Sequence, residues 1–165
     1  MRYLLSQALC GACPLPAPSS EPPIPAGGLA LALCTDVNAL AIYMYADVAV
    51  AGFQFDLICG DTMDAISDLT PGTGGSALEQ EYQVSAGVTG TVVGVSLSGA
   101  QIPPTADPLL VTFTSAGEIE ACSGIGACLI SPVFSDPAAL AIDVALPPCG
   151  AVMEAPAPPP PIVVA

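Results

Sequence analysis

The chain has 165 residues, enough for one well-buried core and too few for two comfortable domains. Arg2 is its only basic side chain, Lys and His are absent, and fifteen carboxylates bring the formal net charge to −14. Nothing in such a chain neutralises phosphates, so nucleic acid is excluded as a partner and anionic lipid headgroups are disfavoured.

Residues 1–13 could form one or two helical turns. Their opening, MRYLLSQALCGAC, has a short apolar core of the signal-peptide kind without a clear small-residue cleavage site. Pro14 to Pro25 holds six prolines in twelve residues, which forces an extended, polyproline-like strap. Gly27 and Gly28 then release the chain into a series of short apolar or alternating runs. The strand candidates are Leu29 to Cys34, Ala39 to Tyr45, Val50 to Ile58, Tyr82 to Ser85, Thr91 to Ser98, Leu109 to Thr114, Ala127 to Phe134 and Leu140 to Leu146. Gly, Pro, Asp and Ser punctuate them at the spacing of an antiparallel β-sandwich. Asp61 to Asp68 (DTMDAISD) reads as a short helical turn, and Pro71 to Ser76 (PGTGGS) as a loop. The tail ends EAPAPPPPIVVA, where five prolines in six residues rule out a helix or a central strand. The chain thus divides into an N-terminal segment and strap over 1–28, an all-β, two-sheet sandwich over 29–150, and a Pro-rich tail over 151–165.

Apolar residues make up 53% of the chain, so it is no disordered acidic tail. Trp is absent and there are four Phe, so Val, Leu, Ile and Ala must build most of the core. Along VAGFQFDL, Phe53, Phe55 and Leu57 alternate and fill that core, with Gln54 and Asp56 on the opposite face. Phe113 and Phe134 have the same duty. With almost no internal ion-pair partners, the carboxylates must sit in solvent, bind a cation or face a basic surface on another molecule. No apolar run reaches the roughly 18 residues of a membrane-spanning helix.

Seven cysteines without one His point to disulfides rather than zinc. Cys10 and Cys13 form C-G-A-C ahead of a Pro-rich stretch and outside any βαβ pattern, which favours a local bridge over a thioredoxin-type site. Cys122 and Cys128 flank the flexible SGIGA, while Cys128 and Cys149 flank the last expected hairpin and offer a competing pairing. Cys34 and Cys59 lie in or at the ends of strands. The odd count leaves one thiol free or intermolecular, and the set as a whole implies an oxidising compartment, extracellular or an organelle lumen of the thylakoid type.

Catalytic constellations are thin. Without His there is no Ser-His or Cys-His pair, and without Lys no Schiff base or Ser-Lys dyad. GVSLSG (Gly94 to Gly99) misses the nucleophile-elbow spacing and reads as one strand face carrying Ser96 and Ser98. No cofactor is expected, with one exception to weigh. Asp61, Asp64 and Asp68 cluster within eight residues, an oxygen-only set suited to Ca²⁺. Their spacing departs from the EF-hand loop, and Asp61 is equally explained as a helix N-cap, as Asp136 before Pro137 is by a hairpin turn.

VAGFQFDL, YQVSAG with TVVGVSLSGAQIPP, LLVTFTSAGE and SPVFSDPAALAIDV together resemble the successive strands of cohesin-type domains, over about Tyr43 to Val144. The resemblance implies a nine-stranded jelly-roll sandwich that binds dockerin modules and assembles scaffolds, usually outside cells. It carries no individual binding residue over. The expected function is therefore a non-catalytic β-sandwich mediating protein–protein assembly, with a partner that presents a basic surface. An alternative is an acidic accessory subunit on the lumenal side of a large membrane complex, for example an algal photosystem. A third reading, a carbohydrate-binding module, needs exposed aromatics, for which only Tyr3, Tyr43, Tyr45 and Tyr82 are available.

Overall fold

A computed structural model describes residues 24–35, 39–60, 64–67, 69–72, 74–106, 108–114 and 127–147. Within them nine strands and one short helix follow in the order β1 (Leu29–Thr35), β2 (Ala39–Ala46), β3 (Gly52–Cys59), β4 (Thr70–Pro71), α1 (Ser76–Glu79), β5 (Gln83–Ala86), β6 (Thr91–Val95), β7 (Leu109–Thr114), β8 (Ala127–Ser135) and β9 (Val144–Ala145). They form a five-stranded sheet, β4-β7-β2-β1-β9, and a four-stranded sheet, β5-β6-β3-β8. This is the two-sheet, all-β sandwich that the strand punctuation predicts. Every pairing is antiparallel except β1 with β9, where Leu29 lies against Val144 and Ala30 against Ala145.

The core is built by alternation. From the five-stranded sheet come Leu29, Leu31, Leu33, Leu40, Ile42, Met44 and Phe113; from the other come Phe53, Phe55, Leu57, Val92, Leu129 and Phe134. The aromatic expectations therefore hold: Phe53, Phe55, Phe113 and Phe134 are all buried. The Phe53 ring stacks with Phe55 at 6.0 Å, Tyr82 at 6.1 Å and Phe134 at 5.7 Å between centroids. Such pairs add about 0.5–1.5 kcal/mol each beyond simple area burial. Gly94, paired with Phe53, makes room for that ring, because a Cβ at position 94 would run into it.

Several local expectations are corrected. Pro71, assigned to a loop, belongs to the two-residue strand β4, and Ser76 opens α1. Proline is tolerated there because β4 is an edge strand, where a missing N–H leaves no ladder bond unmade. The strand expected over Thr91 to Ser98 stops at Val95. Ser96 and Ser98 instead belong to a turn in which the Ala100 N–H donates to Ser96 Oγ at 2.8 Å. The strand expected over Leu140 to Leu146 shrinks to Val144–Ala145, since Asp136 draws the preceding residues into a turn: its Oδ1 accepts the N–H groups of Ala138 and Leu140, both at 2.9 Å. The helical turn expected between Asp61 and Asp68 is not formed by the described part, where Ala65 bridges antiparallel to Ile58.

β8 carries the main irregularity. Asp56 faces Ile130 and Gln54 faces Val133, so Phe55 alone spans a stretch that Ser131 and Pro132 span together on β8. Ser131 takes a positive φ of 52° to absorb the extra residue. The bulge reverses the inward parity of the strand: Ala127 and Leu129 point into the core before it, Phe134 after it.

Candidate functional site: the open face of the four-stranded sheet

The two outer faces of the sandwich differ. On the five-stranded sheet the outward positions Ala32, Cys34, Ala41, Tyr43, Tyr45 and Leu109 form a second buried apolar cluster. On the four-stranded sheet the outward positions reach solvent. β3 supplies Gly52, Gln54 and Asp56, and the register places neighbours on both sides. One row holds Gln83, Val95, Gly52 and Ser135; the next holds Ser85, Val93, Gln54 and Val133; a third holds Thr91, Asp56 and Ile130. Beyond Asp56 the face closes, because Ile58 and its partner Cys128 are both buried.

In a chain of formal charge −14 this face is electrostatically quiet. Its one carboxylate, Asp56, accepts a hydrogen bond from Thr91 Oγ1 at 2.7 Å. Val95 is 42% exposed and Val133 59%. Branched aliphatic side chains on an outward sheet face lose little by desolvation and gain by it, at about 25 cal/mol per Å². Gly52 leaves a notch between Val95 and Ser135, and a Cβ there would meet only ordinary contacts, with Ser135 Oγ at 3.4 Å and Gly94 O at 3.7 Å. The notch is thus a feature of the surface and no requirement of the core.

The sequence-derived site residues fall elsewhere. Asp64 is exposed and its backbone carbonyl accepts the Cys59 N–H at 2.8 Å, while Asp61 and Asp68 lie outside the described residues. Among the described residues no three His, Cys, Asp or Glu side chains gather to hold a metal ion. Cys34, Cys59 and Cys128 are disulfide-bonded and sit on β1, β3 and β8 respectively; Cys10, Cys13, Cys122 and Cys149 lie outside the described residues. Tyr43, Tyr45 and Tyr82 are buried, so none of them can form a sugar-stacking platform, and Tyr3 lies outside the described residues. Tyr82 is instead a structural post. Its hydroxyl lies 2.9 Å from the carbonyl oxygens of both Val50 and Ala100. Burial pushes its phenol above the ordinary 10.0, with a backbone hydrogen bond at Ile102 acting the other way. An open depression of about 480 Å³ is lined by Glu79, Gln80, Pro103, Thr105 and Ala106, of which Glu79 is the one ionisable side chain. No helix among the described residues is long and apolar enough to cross a membrane.

The sequence carries a signal for the open face that strand punctuation alone does not reveal. In TVVGVS both parities are apolar, Val92 inward and Val93 with Val95 outward. A sheet with one solvated face should alternate apolar and polar, so apolar outward positions mark a surface meant for contact.

No protein-family model and no curated protein matches the chain. Among solved structures it is similar to a chain of the type I cohesin–dockerin complex Coh-OlpC–Doc435 from Clostridium thermocellum, at 11% identity and a TM-score of 0.47, over 77% of this chain and 94% of that one. It is also similar to a chain of the CaDoc0917–CaCohA2 complex solved at pH 5.5, at 15% identity and a TM-score of 0.45, over 72% of this chain and 94% of that one.

Proposed function

We infer that this protein is a non-catalytic assembly module that docks another protein on the open face of its four-stranded sheet. The observation that carries the reading is the pattern of that face: outward Val93, Val95 and Val133 around Gly52 and Gln54, with one carboxylate, on a chain that is otherwise strongly acidic. The opposite outer face is buried and offers no comparable surface. Absence of His and Lys removes the usual nucleophile-activating pairs, which supports a binding role over a catalytic one. Three disulfide-bonded cysteines on the described strands favour an oxidising compartment.

The test is a pair of substitutions, Val95→Asp with Val133→Asp, in the full chain. Both side chains are solvent-exposed, so the fold survives. Native separation from the source material should show the wild type co-migrating with a protein partner and the double variant migrating alone. Unchanged co-migration of the variant would remove the face from the interaction.

A further inference from the structure

We propose that the docking surface continues past the end of the four-stranded sheet at Gly52, with Leu97 and Leu140 as its anchors, and that it receives a segment of another protein whose apolar side chains are rimmed by basic ones. This rests on the assembly reading above and adds an end, an extent and a charge to it.

The extent follows from size. Four strands about 4.8 Å apart and five residues at about 3.3 Å per residue give the open face roughly 14 by 13 Å, or about 200 Å² in projection. A standard interface needs about 800 Å² from each partner, so a partner must overrun the sheet. It cannot do so on the same apolar surface beyond Asp56, where Ile58 and Cys128 are already buried. At the other end the surface goes on. β6 leaves Val95, opposite Gly52, into the turn of Ser96 to Ala100, which holds Leu97 at 77% exposure. β8 leaves Ser135, also opposite Gly52, into the turn of Asp136 to Leu140, which holds Leu140 at 63% exposure. Two turns flanking the start of β3 thus each present a leucine to water. The Asp136 N–H bonded to Leu140 O at 2.9 Å, and Ser96 Oγ accepting the Ala100 N–H, fix both turns. Such pre-set loops bind without a large ordering cost.

Isolated exposed apolar residues need no explanation. Here, however, Val95, Leu97, Val133 and Leu140 account for four of the eight large exposed apolar residues described, and all four belong to one face or its Gly52 end. Val88 supplies the contrast. It is 85% exposed on the β5–β6 hairpin, at the opposite end, where Gly90 O accepts the Leu57 N–H.

The sign of the partner follows from charge. Glu81 precedes β5 and Asp136 follows β8 at the Gly52 end, and Asp56 sits across the face. With one basic side chain in the whole sequence, a second copy brings only more carboxylates to this rim. Like charges disfavour self-pairing, and a cationic rim on the partner is steered in.

Titration of the labelled full chain with an amphipathic helical peptide of Leu and Lys, followed by NMR amide shifts, tests this directly. Shifts are expected at Gln54, Val133, Val95 to Gly99 and Asp136 to Leu140, with none at Val88. Leu97→Ser with Leu140→Ser should weaken binding about tenfold or more, and Val88→Ser should leave it within about twofold. Equal loss with Val88→Ser, or equal binding of the Lys→Glu peptide, would overturn the proposal. Loss with Val95→Ser and Val133→Ser alone would overturn the extension and leave the assembly reading standing. No loss with any of these variants would overturn both. Sedimentation should show a monomer; a dimer abolished by the leucine substitutions would replace the foreign partner with a second copy.

Discussion

The two outer faces of this sandwich are made from strands of similar length and end in opposite conditions. On β2 the run ALAIYMYA is apolar on both parities, and its outward Ala41, Tyr43 and Tyr45 are as buried as its inward Leu40, Ile42 and Met44. On β3 the run GFQFDLIC alternates, and Gln54 meets water while Phe53 and Phe55 do not. Of this pair, the strand apolar on both sides has two dry neighbours and the one that alternates has a single dry neighbour. The difference shows which side of the molecule remains free to meet a partner.

The largest expected effects test the dry side. Tyr43→Ala on the covered face should destabilise by about 3–5 kcal/mol, as much as Phe53→Ala in the central core, when measured by denaturant unfolding. If Tyr43→Ala costs less than about 1 kcal/mol, the covered face is not covered and the contrast collapses. Next come two glycines on opposite faces of one ladder. Gly94→Ala forces a methyl group into the Phe53 ring and should cost about 1–3 kcal/mol. Gly52→Ala, pointing outward, should change stability by less than about 0.5 kcal/mol.

Tyr82→Phe should cost about 1 kcal/mol near neutral pH, because Val50 O keeps a second donor in the Ile102 N–H. The folded state holds the Tyr82 phenol above its ordinary 10.0, so the neutral form is favoured by folding. That contribution is fully present below the unfolded value and is lost as pH rises through the folded one. Wild type should therefore lose stability in alkali that the Phe variant does not lose, and parallel curves would place the hydroxyl in water. Smallest of all, Val95→Ser and Val133→Ser should each shift stability by under about 0.5 kcal/mol while weakening partner binding. A larger loss of stability would make the open face part of the core.

Much of this architecture was legible because alternation is a local property. Phe53, Phe55 and Leu57 announce the inward face of β3, and seven other strands are placed from runs of the same kind, those on β6 and β9 drawn too long. Less legible was anything set by tertiary pairing. β4 exists because Thr70 and Pro71 lie against Thr114 and Phe113, a relation no local window contains. Tyr43 and Tyr45 are possible exposed aromatics by residue type alone, and the local sign against it is that ALAIYMYA is apolar on both parities. The docking face was hidden for a similar reason: Val95, Gly52 and Val133 are separated widely in sequence and become neighbours only through the β6-β3-β8 register. The cation candidates Asp61, Asp64 and Asp68 drew attention by being close in sequence, which is a weaker property than being close in space.

The bulge at Ser131 and Pro132 acts as a half-step in the phase of β8. Upstream and downstream of it the same strand obeys opposite rules for which residue faces the core, so its two halves are separate modules of sequence. Loss of a single residue there would leave one residue opposite Phe55 and keep Val133 outward and Phe134 inward, whereas a regular strand that retained both Ser131 and Pro132 would turn Val133 inward and Phe134 out onto the docking face. The extra residue is therefore tolerable only because the bulge absorbs it, and flattening the bulge would exchange the partner surface and the aromatic core in one event.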